Sequence, residues 1–218
     1  MNRIETISNR SKGQILERLK KANKVEGFSP IPSVDPVSHI VRSGDLLEEL
    51  KRKMTDNKYI VEECDKDSLE DRINAITAEY GYNKMIYGKS LGLDLDKINA
   101  KEKICFDKEI EHLRAEVFHS EFSVIHARCG VSSHGVALVH SSSTQPRMLS
   151  LAPTLCIMLL KKEDVVQSLA EVLNLVKSEN AELPSNILFI AGPSRTADIE
   201  LITVFGVHGS QKVHLLLY

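Results

Sequence analysis

The chain has 218 residues, of which 42% are hydrophobic and 27% are charged, and its formal net charge is −2. This length suits one domain of ordinary size that buries its core without disulfides. The near-neutral charge excludes the basic footprint of a nucleic-acid-binding protein, and no apolar stretch approaches the ~20 residues of a membrane span. Since no apolar signal core follows Met1, the sequence predicts a cytoplasmic protein.

A helix signal opens the chain. Ser11-Lys12-Gly13-Gln14 has the pattern of a capping box and predicts a first helix that ends near Asn23. Three prolines within residues 28–36 then predict an irregular connection. We therefore divide the chain into an N-terminal helix with a proline-containing connection, residues 1–40, and one α/β domain, residues 41–218.

Strands and helices alternate in the rest of the chain. Asp45 begins a second predicted helix, Asp67 or Ser68 begins a third, and Asp164–Lys177 is a later one. Buried strands separated by amphipathic helices predict a three-layer α/β/α fold with a mainly parallel sheet. The predicted strands are Tyr59–Val61, Met85–Tyr87, Ile104–Phe106, Phe122–Ala127, Val136–Val139, Leu155–Leu160, Ile187–Ala191 and Val213–Leu217.

The most informative motif follows the predicted strand Ile187–Ala191. Gly192-Pro193 forces a turn that opens into Ser194-Arg195-Thr196, and a second glycine turn, Gly206-Val207-His208-Gly209, follows soon after. Such a turn presents amide donors, hydroxyl groups and a guanidinium at the carboxyl end of a strand, where ligands bind in open α/β sheets. The motif predicts an anion-binding rim, with a purely structural pair of turns as the alternative.

The same residues resemble a known family. Residues 192–200, followed by Gly206–Gly209, resemble the C-terminal signature of the LUD-domain family, the lactate utilisation protein C group. Upstream, Gln145–Pro153 resembles the family's second block. The resemblance implies a fold related to the NagB, ribose-phosphate isomerase and coenzyme A transferase group. It also implies a role in oxidising L-lactate to pyruvate together with iron–sulfur partner proteins.

One turn departs from the family pattern. Where the family usually has Glu-Thr-Gly-Thr, the chain has Ser133-His134-Gly135-Val136, and an aspartate that the family often carries falls on Arg128. If that carboxylate is catalytic in relatives, this chain either uses another group, such as His134, or has a modified role.

The candidate site residues lie mainly in these blocks. Arg195 is the leading ligand-binding candidate, because a guanidinium grips a carboxylate or phosphate through two parallel hydrogen bonds. His208 and His134 are the candidate catalytic residues, since an imidazole exchanges a proton near neutral pH. The alternatives are a surface arginine that braces an acidic neighbour and histidines that only make hydrogen bonds. The predicted ligand-binding residues are Ser194, Arg195, Thr196, Asp198, Arg147, Ser150, Gly192 and Gly209.

The spacing of the cysteines and histidines limits which metals and clusters this chain can be expected to bind. Cys64, Cys105, Cys129 and Cys156 stand singly, and no histidine pair has the spacing of a metal site. We expect this chain to bind no metal or cofactor and its partner proteins to carry iron–sulfur clusters.

Three functions remain open from sequence. The first is a subunit of a cytosolic L-lactate-oxidising system that supplies a pocket for a small acid or another anion. The second is a stand-alone transferase or ligase for a phosphorylated or coenzyme A-linked acid, against which the substituted turn at Ser133-His134 counts. The third is a non-catalytic metabolite-binding or assembly module.

Overall fold

A computed structural model describes residues 3–22, 44–196, 204–206 and 208–218. The chain divides into two compact units, Met1–Ser38 and His39–Tyr218. In the first unit, helix α1 spans Arg3–Ala22 and ends beside the predicted end. The predicted start at Ser11 is wrong, because a serine inside a helix need not cap it.

The second unit combines helices with short strands. Its described helices are α2 Leu46–Asp56, α3 Leu69–Tyr80, α4 Arg114–His119 and α5 Leu169–Glu179. Its described strands are β1 Ile60–Glu63, β2 Lys84–Tyr87, β3 Glu102–Cys105, β4 Phe122–His126, β5 Cys129–Val131, β6 Val136–His140, β7 Leu155–Leu160, β8 Val165–Val166, β9 Ile187–Ile190, β10 Arg195–Thr196, β11 Val204–Phe205 and β12 Lys212–Leu217.

Six strands form a parallel sheet in the order β1-β12-β7-β4-β2-β3. The central strand β7 is apolar throughout, and all of its residues are buried. A central parallel strand needs this composition because both of its faces are covered. The predicted mixed α/β fold with a mainly parallel sheet is confirmed.

A second sheet was not foreseen from the sequence. Strands β8-β5-β6-β9 form it, and β9 pairs antiparallel with β6, with Ile190 opposite Ala137. Strands β7 and β9 therefore belong to different sheets. A short apolar run predicts a strand but not its partner, which residues distant in sequence determine.

The core fills the space between these layers. Ile73 of α3 belongs to an apolar cluster on one face of the parallel sheet. On the opposite face, Leu50 of α2, Met158 of β7 and Val139 of β6 share a second cluster, so the two sheets pack together there. Val172 of α5 packs in a third cluster with residues of β5 and β6. The second sheet thus occupies a place where the three-layer prediction expected helices.

The helix starts show where capping signals succeed and fail. The Asp45 carboxylate accepts hydrogen bonds from the backbone N–H groups of Leu47 and Glu48, at 2.9 and 3.2 Å, and begins α2 as predicted. By contrast, α5 begins after Ser168 rather than at Asp164, because the intervening Val165–Val166 pairs with β5 as β8. Among the described helices, none has the length and hydropathy of a membrane-spanning segment.

A buried histidine predicts acid sensitivity of the fold. His214 of β12 is 2% exposed, its Nε2 lies 3.0 Å from the hydroxyl of Tyr80, and its Nδ1 has no hydrogen-bond partner among the described residues. Burial lowers the pKa of His214 below 6.5, although the nearby Glu62 opposes the shift. The unfolded chain then binds the proton more readily, so stability is lost as pH falls below 6.5 towards the folded-state pKa.

Replacing His214 with glutamine should reduce this acid sensitivity. Between about pH 7 and about pH 5, we expect the free energy of unfolding, measured by urea denaturation, to fall less for His214→Gln than for wild type. An equal fall in the free energy of unfolding for the two proteins would contradict this role of His214.

Candidate functional site

The two predicted glycine turns come together. Ser194 donates its backbone N–H to the carbonyl of Ser210 at 2.9 Å, and the N–H of His208 lies 3.4 Å from Oγ of Ser194. Because Ser210 precedes β12, this junction lies at the amino edge of the parallel sheet rather than at its carboxyl edge. A cavity of about 230 Å³, here called the turn cleft, is lined by Ser150, Gly192, Ser194, His208 and Gly209 among others.

Gly192 is needed for packing. Its φ of +89° is a conformation that side chains rarely adopt, and a Cβ at this position would overlap the backbone carbonyl of Asn57. Next to it, the hydroxyl of Tyr59 donates to the carbonyl of Ile190 at 2.7 Å. Burial raises the pKa of Tyr59, so this hydroxyl remains a donor. These contacts fasten the turn to the segment between α2 and β1.

The predicted charged contacts lie outside the turn cleft. Arg195 is exposed, and its Nη2 donates to the carbonyl of Ala191 at 3.2 Å. Thr196 pairs with Val204 in the β10–β11 hairpin, and Arg147 is exposed in the one-turn helix that precedes β7. Asp198 lies outside the described residues. In the described part of the chain, no lysine or arginine lines the turn cleft, and a role for Arg195 in anion binding stays a prediction.

His134 lies in the turn between β5 and β6. Its Nδ1 is 2.8 Å from Oγ of Ser133, and its carbonyl accepts a hydrogen bond from Nδ2 of Asn57 at 3.0 Å. The next residue, Gly135, has a φ of +61° and packs closely on the backbone of Lys53 in α2. This turn is thus a packing contact with α2, and His134 is not among the residues that line the turn cleft or the larger cleft described next. Its catalytic role stays a prediction.

A larger cleft lies at the carboxyl edge of the parallel sheet, where ligands bind in open α/β folds. Its volume is about 340 Å³, and we call it the carboxyl-edge cleft. Residues that end strands or directly follow them form much of its wall. The polar side chains of its lining include those of Ser90, His126, Arg128, His140, Thr144, Lys161 and Asp164.

Arg128 places a guanidinium in this cleft, where it pairs with two carboxylates, and one of them, Asp164, also lines the cleft. Its Nε donates to Glu179 at 2.9 Å, its Nη1 donates to Asp164 at 3.0 Å, and its Nη2 also contacts Glu179. Hydrogen bonds with Glu179 are the main reason that the pKa of Arg128 is raised, and the same contact lowers the pKa of Glu179. A guanidinium has five N–H donors. Three are engaged here, so two have no partner among the described residues and can serve a ligand.

Lys161 supplies a second cation directly after β7. Its side chain is 52% exposed, and Nζ lies 3.5 Å from a carboxylate oxygen of Glu163. A solvent-exposed pair of this kind contributes little. The ammonium of Lys161 therefore remains available to an anion in the cleft.

Hydroxyl groups and an amide also line this cleft. Oγ of Ser142 accepts a hydrogen bond from the backbone N–H of Gln145 at 2.9 Å, which shapes the turn after β6. The carbonyl of Thr144 accepts from the N–H of Ser90 at 3.4 Å, and a Cβ on Gly88 would overlap that same carbonyl. These contacts hold the loops after β2 and β6 together. Together with Arg128 and Lys161, which line the same cleft, these groups can bind a small acid and hydrogen-bond its other oxygens.

The four cysteines lie in or next to four different strands. Cys105 ends β3, Cys129 begins β5, Cys156 lies in β7 and Cys64 follows β1. Burial raises the pKa of Cys129 to about 11 and that of Cys156 to about 12, so both thiols stay protonated at neutral pH. Within the described residues, no group of three or more His, Cys, Asp or Glu side chains is arranged to hold a metal ion.

Comparison with known proteins defines the class of this fold. A DUF162 family protein from Deinococcus radiodurans has a similar structure, with a TM-score of 0.57 over 79% of this chain and 95% of that one, at 16% sequence identity. This likeness shows the fold. The sequence pattern of the LUD domain matches residues 47–218, so the chain belongs to the LUD domain family.

The chain is also similar to individual relatives. It is 28% identical to lactate utilization protein C from Halalkalibacterium halodurans, over 96% of this chain and 94% of that protein. The protein of the same name from Bacillus licheniformis is 28% identical over 91% of this chain and 90% of that protein. An uncharacterized protein from Neisseria meningitidis is 31% identical, and this match spans 50% of that protein's length. The family predicted from the sequence motifs is therefore confirmed.

Proposed function

We propose that this chain is a subunit of a cytoplasmic system that oxidises L-lactate to pyruvate. In this proposal the chain binds the small acid in the carboxyl-edge cleft, and iron–sulfur partner proteins accept the electrons. The carboxyl-edge cleft carries the proposal, because Arg128 and Lys161 there offer charged donors to a carboxylate. The choice of lactate as the substrate comes from the names of the two relatives that match this chain over nearly their full length.

The carboxyl-edge cleft suits this function better than the turn cleft. Charged hydrogen bonds are roughly twice as strong as neutral ones, and the turn cleft has only hydroxyl groups, backbone groups and one imidazole for a ligand in the described residues. Arg195 remains the competing anion contact, and variants of both sites separate the two locations.

The chemistry explains why partners enter the proposal. Oxidation of L-lactate to pyruvate breaks the C2–H and O–H bonds, forms a C=O bond and releases two electrons and two protons. Iron–sulfur clusters take up electrons one at a time, so two one-electron cluster reductions balance the oxidation of one lactate. Three of the described cysteines lie on three different strands, and Cys64 follows a fourth, which supports placing the clusters on other proteins.

Reconstitution tests this division of labour. We expect the purified chain to be colourless and to show no lactate oxidation with an artificial electron acceptor. Adding candidate iron–sulfur partner proteins from the same organism should give pyruvate, and the partners without this chain should give much less. Turnover by the chain alone, or stoichiometric iron and sulfide in it, would contradict the proposal. If the chain binds a metabolite but adds nothing to the partners' turnover, the metabolite-binding module is the better account.

A further inference from the structure

His126 is held unusually firmly in the wall of the carboxyl-edge cleft. It ends β4, and the side-chain amide of Gln145 pairs with both of its backbone groups. The N–H of His126 donates to Oε1 of Gln145 at 2.9 Å, and Nε2 of Gln145 donates to the carbonyl of His126 at 2.9 Å. The position of this residue is therefore fixed before any ligand arrives.

The ring of His126 is fixed in one tautomer. Nε2 lies 2.7 Å from the carbonyl oxygen of Leu91. A carbonyl oxygen can only accept, so Nε2 carries the proton, and the neutral ring leaves a lone pair on Nδ1. Nδ1 has no hydrogen-bond partner among the described residues, and it is not among the buried unpartnered atoms. In its neutral form, His126 thus gives the cleft a preorganised acceptor at Nδ1.

We propose that His126 makes the carboxyl-edge cleft select a 2-hydroxy acid over the corresponding 2-oxo acid. The hydroxyl group of a 2-hydroxy acid donates a hydrogen bond to Nδ1 of His126. The carbonyl of a 2-oxo acid has no proton to donate, and its oxygen faces the Nδ1 lone pair without a hydrogen bond. This inference rests on the proposed function, because it needs the acid to bind in this cleft.

Other polar groups in the cleft differ from His126. Ser90 and Thr144 carry hydroxyl groups that can donate or accept, and Lys161 only donates, so these groups tolerate both ligands. Asp164 also lines the cleft, and its Oδ1 already accepts a hydrogen bond from Nη1 of Arg128 at 3.0 Å. His140 also lines the cleft, but its Nδ1 is buried and has no partner among the described residues, and no hydrogen bond in this part of the chain fixes its tautomer. His126 is therefore the cleft histidine with a fixed tautomer, and the discrimination between the two acids is assigned to it.

Calorimetry with three ligands of similar size tests the inference. L-lactate, pyruvate and propionate share the carboxylate, and only lactate has a hydroxyl group. At about pH 8, where an imidazole is neutral, we expect wild type to bind lactate about tenfold more tightly than pyruvate or propionate. His126→Ala should bind all three within about twofold of one another. His126→Gln should keep part of the preference, since its amide can donate to Leu91 and still offer an oxygen.

The possible results are separable. His119→Ala is the matched control, because that histidine lies on the exposed helix α4 and bonds the carbonyl of Ala115. The inference is overturned if wild type binds the three acids equally, or if His126→Ala keeps the preference for lactate; the proposed function then stands. If wild type binds none of the three acids, both the inference and the proposed function fail.

Discussion

Replacing Lys161 with glutamine should weaken L-lactate binding about tenfold without changing the fold. A charged hydrogen bond contributes roughly 1.5 to 3 kcal/mol, and the exposure of this side chain places the effect at the lower end. The fold should survive because the only ion pair of Lys161 among the described residues is its 3.5 Å contact with Glu163. Isothermal calorimetry gives the affinity, and thermal unfolding shows whether the variant is intact.

Two further variants locate the site. Lys162→Gln removes the neighbouring lysine, which pairs with Glu63 at 3.3 Å and does not line the cleft, so its lactate affinity should equal that of wild type. Arg195→Gln tests the competing turn. If Arg195→Gln weakens binding and Lys161→Gln does not, the acid binds at the turn instead of in the carboxyl-edge cleft.

Replacing Gly192 with alanine should lower the free energy of unfolding by about 3 kcal/mol or more. The left-handed backbone at φ +89° disfavours a side chain, and the new methyl group would collide with the carbonyl of Asn57. Asn57 cannot retreat easily, because its Nδ2 also donates to the carbonyls of His134 and Gly135, at 3.0 and 2.9 Å. Urea denaturation measures the loss.

Gly81→Ala is the matched control for this change. Gly81 has a φ of +70° at the end of α3, and a Cβ there would meet nothing within 4 Å. This variant has the backbone strain without the collision, so it should cost only about 1 kcal/mol. A Gly192→Ala variant as mild as Gly81→Ala would show that the turn moves freely and that Asn57 does not hold it.

Much of the fold could be predicted because its strongest signals are local. The apolar run that forms β7 suits a strand covered on both faces, and Asp45 begins α2 through hydrogen bonds to residues two and three positions away. The run that forms β9 gave an equally good strand signal. Its antiparallel partner β6 lies far away in sequence, so its sheet could not be predicted, and the turn after β9 was placed at the wrong edge.

The carboxyl-edge cleft was missed for a related reason. Its residues come from several separate loops, and no local motif joins them. A signal was nevertheless present, since His126 and His140 each end a strand and Lys161 directly follows one. Searching for polar residues at the ends of all buried strands, rather than for one glycine motif, would have found these residues. The glycine turns were easy to recognise because their pattern is local. At Gly192, however, the glycine is required by close packing against the backbone of Asn57.

The most direct test of the carboxyl-edge cleft as the acid site is a map of backbone amide chemical shifts during titration of L-lactate into the isotope-labelled chain. We predict that the largest changes cluster at Ser90, Arg128, Thr144 and Lys161, which line this cleft. Changes centred on Ser194 and Gly209 of the turn cleft, or no changes at saturating lactate, would contradict the account.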